Sequence, residues 1–170
     1  MTTIEESGMT FGPFDSEACY QIEHSNGHRS LGEGFKMVEF TYFDESSAKL
    51  WLVEAKSSIP NPKTDATEYE TYFDNLFEKF ENALLLHGTS ALGRNQVCCA
   101  ELPIKMQGMP WSALQIQLRL VIPDVPNHFL PQLTDKLQTR FKKLLAVWRH
   151  DLMDVKVINA HFARREGLIQ

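Results

Sequence analysis

The chain has little that would tie it to an oxidising or membrane setting. Its 170 residues include only three cysteines, Cys19, Cys98 and Cys99. An odd count with two of them adjacent is a poor disulfide framework and suits a reducing compartment, so a cytoplasmic location is expected. No apolar run approaches the roughly 18 residues that crossing a bilayer requires. The stretch MTTIEESGMTFGPFDSE is acidic and lacks an apolar h-region, so no signal peptide is expected. The six histidines include no H-E-x-x-H motif, Cys98-Cys99 lacks C-x-x-C spacing, and no G-x-S-x-G elbow is present. Zinc chemistry and a serine nucleophile are therefore not expected. Net positive charge is lacking too. The formal balance is −5, which argues against gripping nucleic acid by bulk charge alone. A local basic surface, or a metal site that offsets its own carboxylates, remains compatible with it.

Hydrophobic residues make up 43% of the chain and charged residues 23%, which is enough apolar material for one core. Internal repeats and low-complexity segments are absent. Residues 1–17 hold Gly8, Gly12 and Pro13 with no clear period and read as an N-terminal segment, flexible or helical, ahead of a single domain over 18–170.

A short strand is expected at Ala18–His24, then a turn at Ser25-Asn26-Gly27. Two strong strands follow, FKMVEFTYF at Phe35–Phe43 and KLWLVEAKS at Lys49–Ser57, rich in aromatic and β-branched residues. The link Asp44–Lys49 is short enough for an antiparallel hairpin. Pro60 and Pro62 make the next stretch a loop. Residues 68–86 place Tyr69, Tyr72, Phe73, Leu76, Phe77, Phe80 and Leu84 at helical spacing, with Gly88 as a stop. Residues 89–112 carry no clear signal. Ala113–Ile122 alternates as a strand, 131–149 forms a second amphipathic helix with Pro131 in its first turn, and Asp154–Ala160 is a last short strand before a turn or short helix. The order β-β-β-α-β-α-β predicts an α/β (α+β) fold: a mixed central sheet with an N-terminal antiparallel meander and helices packed on it.

Period two puts Leu50, Leu52, Glu54 and Lys56 on one face of the second strong strand. A carboxylate and an ammonium then project side by side from an otherwise apolar face, which is costly unless they are paired or bind an ion. A hairpin symmetric about Ser46-Ser47 sets Glu39 opposite Glu54. Two facing carboxylates repel each other, and a divalent cation between them would reverse the sign. The backbone carbonyl of Ala55, between Glu54 and Lys56, is a further candidate ligand. Such a metal can polarise a phosphodiester oxygen and help deprotonate a water, with Lys56 orienting that water or stabilising charge on phosphorus. A one-residue slip in register would send Glu39 to the other face.

Val38-Glu39-Phe40 followed by Val53-Glu54-Ala55-Lys56 resembles the motif of the PD-(D/E)XK, or restriction-endonuclease-like, nuclease superfamily: an acid on one strand and (D/E)-x-K on the next. The resemblance covers residues 18–122. It implies a β-β-β-α-β core, Mg²⁺ or Mn²⁺, and hydrolysis of phosphodiesters in DNA, with RNA the lesser alternative. It assigns Glu39, Glu54 and Lys56 the catalytic roles, with Glu39 and Glu54 holding the metal beside the Ala55 carbonyl. It also implies a role in prokaryotic or phage defence, with a partner subunit or homo-oligomer supplying recognition in so short a chain. Two departures stand out: no Pro-Asp precedes the strand, and Glu39 replaces the usual Asp. An extra acid on a preceding helix has three candidates, Glu17, Glu23 and Glu33.

Plainer readings compete. Glu54 and Lys56 could be solvated neighbours on a half-exposed sheet, and Glu39 an edge charge. Ser57 and Ser58 read as loop formers. Lys136, Arg140 and Lys143 lie on one stripe of the second helix and could track a phosphate backbone, or simply form a solvated face. The alternative of a different class is a catalytically inactive core of the same kind, serving as a binding or scaffold subunit of a multi-protein complex.

Overall fold

A computed structural model describes all 170 residues. The first two strands are β1 (Thr2–Glu6) and β2 (Met9–Phe14), followed by β3 (Cys19–Tyr20), a 3₁₀ turn at Ile22–His24 and the short α1 (Asn26–Arg29). Next come β4 (Phe40–Asp44), β5 (Lys49–Ala55) and α2 (Ala66–Ala91), then α3 (Gln96–Glu101), α4 (Ile104–Gln107) and β6 (Gln115–Val121). The chain ends with α5 (Leu130–Trp148), β7 (Val155–Ile158) and α6 (Ala160–Arg165). Strands β3 to β7 form one mixed five-stranded sheet in sequential order. The β3-β4 and β4-β5 pairs are antiparallel; β5-β6 and β6-β7 are parallel. Parallel neighbours need crossovers, and α2 and α5 supply them. The chain is therefore α+β with helices packed on a mixed sheet. None of its helices is long and apolar enough to cross a membrane.

Alternation along β5 divides the core. Leu50 and Leu52 join the larger cluster with Phe73, Leu76 and Phe80 of α2 and Leu137 and Phe141 of α5. Val53 and Ala55 point the other way, into a cluster with Phe11, Phe14, Phe40 and Ile158. Phe80 is fully buried and stacks edge-on against Phe141 at 5.6 Å, so Phe80→Ala would cost about 3–5 kcal/mol through the cavity it leaves.

The hairpin register is the expected one, with Phe40 opposite Val53 and Phe43 opposite Leu50. Other expectations need correction. Residues 1–17 are neither loose nor helical: β1 and β2 form a hairpin that turns at Ser7 (φ 50°) and Gly8 (φ 76°). Ile4, Met9, Phe11 and Phe14 give it a buried face on the sheet, a period-two signal hidden among its glycines and proline. The first sheet strand holds only two residues, because the chain turns into the 3₁₀ turn at Ile22. The next begins at Phe40 rather than Phe35. Helix α2 runs through Gly88 instead of stopping there; a Cβ at that position would sit 3.3 Å from the Trp148 ring, so glycine admits the tryptophan. The uncharted stretch 89–112 contains the end of α2 and the helices α3 and α4.

Candidate active site

Glu54 is the next residue on the α2-facing side of β5 after Leu50 and Leu52, and it is completely shielded from water. Glu39 lies one residue before β4 and is buried as well. The segment that carries it is fastened to α2: the Lys36 ammonium donates to Asn75 and Glu78, and the Asn82 amide donates to the Lys36 carbonyl. This clamp aims Glu39 toward the end of β5, where Lys56 leaves the strand.

The three residues expected from the sequence converge. Lys56 Nζ lies 2.6 Å from Glu54 Oε1 and 3.9 Å from Glu39 Oε1. The side chain of Lys56 is 33% exposed, which makes it the part of this group open to solvent. Ala55 ends β5 with its methyl in the opposite cluster, leaving its backbone between the two charged side chains in sequence.

Three further residues join them. Lys79 of α2 reaches down onto the sheet, with Nζ 2.9 Å from Glu54 Oε1, 3.7 Å from Glu39 and 3.3 Å from Glu23. Glu23 stands on the 3₁₀ turn, anchored by the fully buried Ile22 beside it. Glu6 ends β1. Glu6, Glu23 and Glu39 each place a carboxylate oxygen within 4.8 Å of the others. Of the three candidates for an additional acid, the fold selects Glu23. Glu17 and Glu33 are exposed and take no part. The sequence carries a signal for two of these: Lys79 sits one residue from Phe80, on the inward side of the helix, and Glu6 continues the alternation that begins at Ile4.

Charge is crowded here. Burial, with a hydrogen bond to Glu23 and the charge of Glu54 behind it, pushes the Glu39 carboxyl up to about 9. Burial also raises Glu54, and the two ammoniums offset this only in part. Burial opposes ionisation of Glu23 as well, yet the bond from Glu39 and the nearby Lys79 hold its pKa below the ordinary value. Burial works against the Lys79 ammonium, but Glu54, Glu39 and Glu23 outweigh it and raise its pKa. Four carboxylates face two ammoniums, so full ionisation leaves two negative charges uncompensated. A proton on Glu39 removes one of these charges; one divalent cation would offset both.

The donor set suits a hard cation, which takes several carboxylate oxygens. Glu6, Glu23 and Glu39 are the residues placed to hold one, with Glu54 behind them. Glu54 Oε1 lies close to both ammoniums yet has neither in hydrogen-bond alignment, so a lone pair there is left over. Lys79 projects among the same acids and competes for their charge. A recess of about 130 Å³, bordered by Glu6, Gln21, His24 and Glu39, adjoins the cluster.

The basic stripe on α5 is mostly engaged within the fold. Lys136 and Arg140 both pair with Glu70 of α2, and Arg140 Nε lies 3.0 Å from Asp74. Lys143 is exposed. His24 and His28 stand four residues apart, a spacing that can serve zinc on a helix. Both ring nitrogens of His28, however, contact backbone carbonyls, those of Glu23 at 2.7 Å and Phe35 at 2.9 Å.

No family model, curated protein or solved structure matches the chain.

Proposed function

We propose that the chain is a divalent-metal-dependent nuclease built around Glu39, Glu54 and Lys56. The observation that carries the reading is their convergence: two buried acids, Glu54 on β5 and Glu39 just before β4, lie 2.6 Å and 3.9 Å from the ammonium of one partly exposed lysine, Lys56. The order of a three-stranded antiparallel meander, a crossover helix and a parallel strand is what a restriction-endonuclease-like core would require, and this supports the reading.

In this proposal Glu39, with Glu23 and Glu6 beside it, Glu54 behind it and the Ala55 carbonyl nearby, would hold Mg²⁺ or Mn²⁺. The bound ion would polarise a phosphodiester oxygen and lower the pKa of a water. Lys56, which reaches solvent, orients that water or meets the charge that builds on phosphorus. Lys79 is a positioning residue: it fixes Glu54 and favours its ionised form against the effect of burial. The sheltered floor of the pocket strengthens each of these interactions relative to water. DNA is the favoured substrate, RNA the lesser alternative, and defence against foreign DNA the biological role that the motif suggests. Of the basic stripe, Lys143 remains free to meet a phosphate backbone. A partner subunit or a second copy would supply recognition.

A second reading is favoured by one observation. The Lys79 ammonium already sits among the acids that a metal would need. A permanently resident lysine would suit an inactive core that serves as a binding or scaffold subunit.

Incubating the protein with labelled DNA and RNA in Mg²⁺ or Mn²⁺ separates the two. The nuclease reading expects metal-dependent cleavage that drops by about 10²–10³-fold in Glu54→Ala and Lys56→Ala. Absence of cleavage with either metal on either polymer would leave the scaffold reading.

A further inference from the structure

The loop that leaves β5 at Lys56 forms one wall of a recess of about 440 Å³, within the range of about 300–1,000 Å³ usual for ligand pockets. The start of α5 and the turn before it form the other wall. We propose that this recess seats an unpaired nucleobase of a single-stranded substrate, next to the bond attacked at Lys56; the inference rests on the nuclease reading.

The lining fits a base better than a generic apolar guest. Pro60, Pro126 and Phe129 present flat apolar surfaces. Phe129 is 49% exposed although it is a large aromatic; His128 already lies against its ring, with centroids 4.1 Å apart, and the exposed remainder is offered for stacking. The polar groups are amides, which can both donate to and accept from a base edge. Asn61 uses its side-chain oxygen on the Lys63 backbone N–H, which leaves its amide hydrogens free, and Gln132 lies across from it. Lys63 supplies the one cation at the rim, suited to the phosphate that accompanies a base.

The walls are held in place. Asn159 donates to the Val125 carbonyl at 2.8 Å and to Asn127 at 2.7 Å, fixing the turn that carries Pro126 and Phe129. Tyr72 of α2 donates to the Ser58 carbonyl, tying the loop to the helix that also positions Lys79. Ile59, the first residue of the loop wall, follows Lys56 by only three positions, so the loop that leaves the acid cluster runs directly into the recess. A paired base would not enter, because its edge and both faces are already engaged in a duplex.

The test is fluorescence anisotropy of a labelled single-stranded DNA 12-mer in EDTA, which prevents cleavage, with wild type, Phe129→Ala and Phe129→Trp. Parallel cleavage assays run in Mn²⁺. Since Phe129 is half-exposed, its truncation should leave the fold intact, and a thermal melt checks this. The expected result is about tenfold weaker binding for Phe129→Ala, recovery in Phe129→Trp, and weaker binding of the matching duplex. Unchanged affinity in Phe129→Ala, preference for the duplex, or no binding by wild type would overturn the proposal. Cleavage by wild type and Phe129→Ala alike would sink the recess and leave the nuclease reading standing. Binding that depends on Phe129 without any cleavage would sink the nuclease reading and leave the recess.

Discussion

Lys79 Nζ lies 2.9 Å from Glu54 Oε1 and 3.2 Å from Oε2, a helix-borne ammonium set against a strand carboxylate with no access to water. Removing one partner of a buried pair leaves an uncompensated charge and typically costs about 3–5 kcal/mol. Lys79→Met should lower stability by that order in EDTA, as measured by urea unfolding. Because Lys79 competes for the acids, millimolar Mg²⁺ should recover more stability in Lys79→Met than it adds to wild type. Equal effects of Mg²⁺ on both proteins would separate Lys79 from any metal site.

Glu39 sets a pH dependence. Its folded pKa, about 9, stands above the ordinary 4.5, so the folded state holds a proton that the unfolded chain releases. The linked stability is fully present below about 4.5 and is lost as pH rises toward 9. In EDTA the melting temperature should therefore fall across that window. Glu54, also raised, adds in the same direction, whereas the lowered Glu23 acts only at acid pH. Glu39→Gln should flatten the larger part of the slope in a calorimetric series.

His87 sets the opposite limit. It is buried beneath Trp111 and Tyr20, bonds Thr41 through Nε2 at 2.9 Å, and burial lowers its pKa from 6.5 to about 4. Stability linked to it is present above 6.5 and is lost as pH falls toward 4. His87→Leu should flatten this acid slope. At pH 7 it should cost about 1 kcal/mol, mainly through the stranded Thr41 hydroxyl. An unchanged acid slope in denaturant titrations would contradict the assignment.

The pairs between α2 and α5 should contribute little to stability. Glu70 is half-exposed, and solvent screens such surface pairs so that little of their attraction reaches the folded state's stability. Lys136→Ala and Arg140→Ala should leave DNA affinity within about twofold, since their charges are already directed at Glu70 and Asp74. Lys143→Ala should weaken binding and reduce the salt dependence by about one unit of slope. Equal losses in all three variants would restore the whole stripe as a phosphate track.

Much of this was legible in the chain itself, for local reasons. Alternation from Leu50 to Glu54 and the short link at Ser46-Ser47 sufficed to place Glu39, Glu54 and Lys56 together, because a hairpin's register follows from its turn. The remaining members of the pocket arrive from far away. Lys79 stands 25 residues beyond Glu54 on α2, and only the packing of that helix decides which of its charges faces the sheet. Glu6 depends on a hairpin whose strands are short and broken by Gly8, Gly12 and Pro13. The pairing of Lys136 and Arg140 with Glu70 follows from how two crossover helices lie side by side, which no single stretch encodes.

Manganese binding followed by electron paramagnetic resonance tests the central claim most directly. Wild-type protein at neutral pH should hold about one Mn²⁺ per chain, and Glu39→Gln and Glu54→Gln should each weaken that binding by at least tenfold without unfolding the protein. Wild type that leaves all Mn²⁺ free in solution, or variants that bind it as well as wild type, would contradict a metal-dependent active site at these residues.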